Sequence, residues 1–297
     1  MPQQHPMQTR RQFMQKLGLA MVSIPLAGLV ACGSSATDDS TVTSGTGSSD
    51  SSGGSTGGGS TGGSAGSSTS WASGGTKYLT ANFPADSLFD LGSACTLTAT
   101  KTLTEGPCYF AVTTTDDISE SQTGLPMQLC LRVVDSLCQP LAGLEVEVWH
   151  CDVEGIYSGN TTGSSDSARF AGSFCTANDS DAVKAKWFRG IQITDSNGRV
   201  NFKSCFPGWY SGRTIHIHFR VKKNNTDQVI SQFCFADSLT AEICTTHPNY
   251  SARGSQNVTL GSGRDTVYGS NYSDFLFNTA QNSDGSLLAW KTIRLSA

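Results

Sequence analysis

Thr214-Ile215-His216-Ile217-His218-Phe219-Arg220-Val221 alternates polar and apolar residues without a break. On a β-strand alternate residues share a face, so Ile215, Ile217, Phe219 and Val221 point into a core while Thr214, His216, His218 and Arg220 point the other way. This one stretch therefore reads as a strand, and it sets two of the chain's five histidines side by side.

The same period of two recurs outward from it. Met127, Leu129, Leu131 and Val133 alternate with more polar neighbours, and Leu144, Val146 and Val148 alternate with Glu145, Glu147 and Trp149. Both runs read as half-buried strands. The turn cluster Asp135-Ser136-Leu137-Cys138-Gln139-Pro140 between them predicts either a hairpin or a crossover between sheets. Phe188 to Thr194, the turn Asp195-Ser196-Asn197-Gly198-Arg199 and Val200 to Lys203 read as a second strand-turn-strand. Val229–Phe235 predicts a further strand. With no amphipathic helix beyond two or three turns and no solenoid repeat, the pattern predicts an all-β protein, a β-sandwich core with long irregular loops.

The first quarter of the 297-residue chain differs in kind. Residues 32–75 are almost entirely Gly, Ser and Thr beyond Cys32, with no apolar cluster to offset the entropy of ordering them, and read as a flexible tether. Before it, Thr9-Arg10-Arg11-Gln12-Phe13-Met14 resembles a twin-arginine export signal. The apolar run Leu17 to Ala31 is too short to span a bilayer and ends in Leu29-Val30-Ala31-Cys32, which resembles a bacterial lipobox. The expectation is a signal peptide over residues 1–31, lipidation of Cys32, and a folded domain over residues 76–297. The protein is then an exported cell-envelope lipoprotein of a Gram-negative cell, at the outer membrane or facing the periplasm, touching the membrane only through its N-terminal lipid. Losing residues 1–31 removes Arg10, Arg11 and Lys16 and no acid, taking the formal charge from −4 to −7. A basic nucleic-acid footprint is excluded.

Nine cysteines follow Cys32, with no C-x-x-C pair among them. An exported chain then uses them mainly as disulfides, and the odd number leaves at least one unpaired within the molecule.

Two imidazoles on one strand face repel if both are protonated, and a metal ion requires both to be neutral. Alone, the H-x-H spacing fits an exposed histidine pair as well as a ligand pair. Two tyrosines in similar glycine-flanked settings change the weighing: Tyr210 in Pro207-Gly208-Trp209-Tyr210-Ser211-Gly212 and Tyr157 in Gly155-Ile156-Tyr157-Ser158-Gly159. Each by itself fits a packing residue. Together, two phenols and two imidazoles form a donor set suited to Fe(III), because phenolate is a hard anionic oxygen ligand.

Several segments now coincide with a known pattern: Thr104-Glu105-Gly106-Pro107-Cys108-Tyr109-Phe110, Trp149 to Gly159, Phe188 to Asp195, and the stretch Trp209 to Phe219. In this order, across Leu103 to Phe235, they resemble the intradiol ring-cleavage dioxygenases, and more narrowly an exported branch similar to the protocatechuate 3,4-dioxygenase β-subunit. The resemblance implies a non-haem Fe(III) held by Tyr157, Tyr210, His216 and His218, with Tyr210 leaving the metal when a catechol binds. It also implies that Arg213 and Gln232 face the bound ring, and that O2 cleaves catechols to cis,cis-muconate-type diacids. Strand parity puts Arg213 opposite His216, so this mapping requires a bend at Gly212 or shortly after. Tyr109 and Pro107 line the mouth in the family pattern, and Tyr109 reads equally well as a packing residue beside a Cys108 disulfide. The short spacer between Tyr210 and His216 predicts an open roof. A Cys108–Cys151 disulfide fixing the Tyr157 segment is a further expectation. The competing readings are a non-catalytic β-sandwich binding module or adhesin, which needs no firmly bound iron, and a copper-dependent phenol oxidase using the histidine pair.

Overall fold

The computed structural model describes residues 70–90, 95–159 and 173–296. The signal segment, Cys32 and the tether up to residue 69 lie outside the described residues. Residues 71–75, assigned to the tether by composition, are hydrogen-bonded to the domain: Ala72 N donates to Gly285 O, and the amides of Gly74 and Gly75 donate to Gly124 O.

Among the described residues, eight strands form two four-stranded sheets: β1 (Pro126–Val134), β2 (Glu145–Trp149), β3 (Arg189–Ile193), β4 (Arg199–Cys205), β5 (His216–Lys223), β6 (Thr226–Cys234), β7 (Asn278–Gln281) and β8 (Leu287–Arg294). One sheet runs β4-β1-β8-β7 and the other β3-β2-β5-β6. All neighbours are antiparallel except β1 and β8. The helices are short: α1 (Ser173–Thr176), α2 (Ser180–Lys184) and α3 (Asp237–Thr246).

The all-β sandwich expected from the alternation is present, and its inner faces are the residues the alternation selected. Leu129, Leu131, Val133, Val146, Val148, Ile217, Phe219, Val221 and Phe233 meet in one buried cluster with Val200, Phe202, Leu287 and Ile293. Such burial is the main favourable contribution to the fold, on the order of 1.5–3 kcal/mol per large side chain. The turn at Asp135 is a crossover, because β1 and β2 belong to different sheets. The turn at Asp195 likewise changes sheet between β3 and β4, with Asp195 Oδ1 accepting from the amides of Asn197 and Arg199 at 2.8 Å each. The β5–β6 hairpin closes through Asn224 and Asn225, both at positive φ (51° and 60°), the backbone that a two-residue turn needs. Strands β7 and β8 escape the sequence reading. In β8 Leu287-Leu288-Ala289-Trp290 has no clean alternation, because both faces of this inner strand are covered: Leu287 and Ala289 enter the main core, while Leu288 packs with Phe89 and Cys130 on the far side.

Cysteine pairing departs from expectation. Cys108 bonds Cys175, not Cys151, and Cys95 bonds Cys138. Cys151 is a buried thiol outside either disulfide, and its Sγ donates to Gly208 O at 3.2 Å. Cys130, Cys205, Cys234 and Cys244 are also buried thiols outside either disulfide. Local sequence cannot express this choice, because the partner of Cys108 arrives on α1, 67 residues away.

Candidate metal and catechol site

The outer face of the second sheet carries the site. Register sets Arg189 opposite Trp149, Trp149 opposite His218, and His218 opposite Gln232, a row across all four strands. This face is sealed by loops, so His216 and His218 are only 2% exposed each.

Glycines bring the two tyrosine loops together. A Cβ on Gly155 would lie 2.2 Å from Trp209 O, and one on Gly208 would lie 2.2 Å from Val153 O. Gly208 N donates to Asp152 O at 2.9 Å. The loops therefore touch backbone to backbone, and the Tyr157 and Tyr210 rings meet edge-on with centroids 5.9 Å apart. Tyr157 is buried, whereas Tyr210 is half-buried. A third glycine, Gly106, holds the strap before β1 against the site: its Cβ position is 3.1 Å from His218 Cε1.

His216 Nε2 is the meeting point. Tyr210 Oη is 3.1 Å away, His218 Nε2 3.1 Å and Arg213 Nη1 3.4 Å. His216 Nδ1 donates to Thr214 O at 2.7 Å, which leaves Nε2 as the bare lone pair facing the site. Burial drives both imidazoles well below the usual histidine pKa, reinforced for His216 by Arg213 and for His218 by His216, so both are neutral. Burial also raises both phenols, Tyr157 well above 10. The Tyr157 hydroxyl is buried without a hydrogen-bond partner.

The bend demanded at Gly212 is there. Gly212 has φ +87° and β5 begins only at His216, so Arg213 escapes strand parity and turns toward His216. Its Nη2 donates to Gln232 Oε1 at 2.7 Å, and Gln232 Nε2 donates to Thr104 O at 2.8 Å. All six predicted site residues in the domain, Tyr157, Tyr210, Arg213, His216, His218 and Gln232, thus come together. Lipidation at Cys32 lies outside the described residues.

The donor set fits a ferric ion. Two neutral imidazoles and two phenols converge, one phenol has no other partner, and the Nε2 lone pair of His216 faces the gap between them. Among the described residues no cluster of three or more His, Cys, Asp or Glu side chains could hold a metal, so the tyrosines are essential to the set.

Tyr109 packs rather than lying open. Its ring meets Trp149 edge-on, Arg220 lies 4.2 Å above it, and its Oη donates to Glu147 at 3.0 Å. Sequence reading missed this network, in which Arg220 also pairs with Glu105, and it missed Asp265, which binds Arg213. The parity of β2 and β5 offered a signal for Glu147 opposite Arg220. Nothing around Asp265 did.

Comparison with known proteins places the chain. The profile of the family described as Dioxygenase matches residues 104–246. The solved structure of an intradiol ring-cleavage dioxygenase from Tetranychus urticae is 28% identical, with a TM-score of 0.55 over 68% of this chain and 95% of that one. Another dioxygenase structure gives 27% identity and a TM-score of 0.54 with the same coverage. A chlorocatechol 1,2-dioxygenase of Pseudomonas putida is 24% identical over 113 residues, 32% of this chain, and the match spans about a third (36%) of that relative's length. In sequence over residues 104–246 and in fold, the chain is similar to the intradiol ring-cleavage dioxygenases.

Proposed function

We propose that the protein cleaves catechols between their two hydroxyl-bearing carbons with O2, using a non-haem Fe(III) and yielding cis,cis-muconate-type diacids. The observation that carries this reading is the convergence of Tyr157, Tyr210, His216 and His218 beside the Arg213 guanidinium. These four side chains would hold the metal. Bound there, a ferric ion supplies Lewis-acid activation of a catecholate toward oxygen.

The protein's own groups divide the remaining work. Tyr210 is the less buried phenol, at the edge of the site; it would be the exchangeable ligand of the four, with its Oη placed to accept a catechol proton. Tyr157 is enclosed and would be a fixed ligand. Arg213 holds a permanent positive charge at the site, where negative charge grows on the ring, and a preorganised charge of this kind costs no reorganisation when the reaction occurs. Gln232 fixes that guanidinium through Nη2. Burial keeps water from screening these charges.

The signal and lipobox patterns support an enzyme carried outside the cytoplasm on a lipid tether from Cys32, and the two disulfides agree with an oxidising compartment.

The test is iron content and the visible spectrum of the domain, before and after anaerobic addition of catechol. About one iron per chain and a tyrosinate charge-transfer band that moves to longer wavelength are expected. A protein that stays colourless after ferric reconstitution sinks the reading and leaves a non-catalytic binding module in its place.

A further inference from the structure

We propose that Asp265 is a positioning residue for this reaction, one buried carboxylate that aims the Arg213 guanidinium and sets the His216 ring together. The inference rests on the function proposed above. Asp265 lies beyond the matched family segment, 52 residues after Arg213, and its side chain is 0% exposed.

All of its contacts come from donors. Asp265 Oδ1 accepts from the amides of Val267 at 2.9 Å and Tyr268 at 3.0 Å, which anchor the carboxylate to its own turn. Oδ2 accepts from Arg213 Nε at 3.1 Å and from Thr214 N at 2.8 Å. The first of these contacts pins one nitrogen of the guanidinium, and Gln232 pins a second, Nη2. The third, Nη1, is left pointing at His216 Nε2. The second contact fixes the residue whose carbonyl, Thr214 O, accepts from His216 Nδ1 at 2.7 Å. The Tyr268 ring, 5.6 Å from the Arg213 guanidinium carbon, closes the remaining side. A planar guanidinium held at two of its three nitrogens has one orientation, and a displacement near 1 Å in such a group commonly costs on the order of 10²-fold in rate.

Asp265→Asn keeps the shape and removes the charge. Its amide either faces Arg213 Nε and Thr214 N, donor against donor, or turns over and sets its NH2 against the anchoring amides of Val267 and Tyr268. The experiment measures iron content, anaerobic catechol affinity, kcat and melting temperature in the wild type, D265N, R213K and the double variant. The expected result is D265N with full iron content, a catechol Kd within about threefold of wild type and a kcat lower by roughly 10²-fold. The double variant should lose little beyond either single change, because both act through one guanidinium. Asp284 caps backbone amides of Thr80, Ala81 and Ser286 and touches nothing in the site, so D284N controls for loss of a structural cap. A D265N protein with wild-type kcat, or kcat losses that simply multiply in the double variant, overturns the proposal. If D265N fails to fold, Asp265→Glu keeps the charge but moves the oxygens by a methylene. The same kcat loss with iron retained supports the proposal, and a normal kcat overturns it. A wild type that binds no iron sinks the functional reading and this inference with it, whereas an active, iron-loaded wild type beside an unaffected D265N sinks this inference alone.

Discussion

The indole of Trp149 lies flat on the imidazole of His218, with ring centroids 5.0 Å apart and planes within 12° of each other. The pairing follows from register, since Trp149 on β2 stands opposite His218 on β5. Gly106 closes the other approach to the same imidazole, so His218 is oriented by packing, while its Nδ1 has no hydrogen-bond partner.

Trp149→Leu should therefore leave the fold intact and weaken iron binding by about tenfold, the low end of the effect seen when groups supporting a metal ligand are removed. Competition with a ferric chelator measures this. An unchanged affinity would mean that β5 alone sets the ring.

The outer face of the same sheet holds a buried charge cluster. Arg220 pairs with Glu105, approaches Glu147 at 3.9 Å and Asp227 at 3.5 Å, and covers the Tyr109 ring. Burial raises the pKa of Glu147, countered by Lys222, the Tyr109 hydrogen bond and Arg220. Arg220→Ala removes one of the three groups that hold the buried Glu147 carboxylate, leaving Lys222 and Tyr109, and should destabilise the domain by about 2 kcal/mol. Urea unfolding reads this directly, and a loss below about 1 kcal/mol would place the pair among weakly coupled surface bridges.

Acid should weaken the fold through His150. The ring is fully buried between Ser204 Oγ and Cys151 O, and burial lowers its pKa to about 3. The unfolded chain takes up this proton near pH 6.5, whereas the folded chain refuses it until about pH 3. Between those values the unfolded state binds more protons, so stability falls with falling pH by about 1.4 kcal/mol per unit for this one group. His150→Gln should flatten the slope of unfolding free energy against pH by about one proton between pH 4 and 6.

The Cys108–Cys175 disulfide joins the Gly106 strap to α1, and Cys175 O accepts from Tyr157 N at 2.8 Å. Replacing both cysteines by Ala should cost about 4 kcal/mol, as the chain-entropy relation gives for a loop of this length. Iron should also be released more readily, because both a ligand segment and a wall of the site are freed. Peptide mapping of the native, unreduced protein should find Cys108 and Cys175 bonded to each other and Cys151 shielded from alkylation until the protein unfolds.

The sequence by itself determined the sandwich class, six of the eight strands and the domain's candidate ligand set, because each rests on local spacing. Alternation at Thr214–Val221 states which face is core, and H-x-H on such a strand must place both imidazoles together. The tertiary structure decided what depends on contacts between distant segments. It paired Cys108 with Cys175, chose crossover over hairpin at Asp135, turned the strand-turn-strand at Asp195 into a crossover, and inserted β8 beside β1. It also brought Asp265 under Arg213. None of these has a local signature, since a carboxylate that accepts from an arginine 52 residues away looks in the sequence like any other turn aspartate. The candidate ligands are written in the chain, and their aim is set by the packing around them.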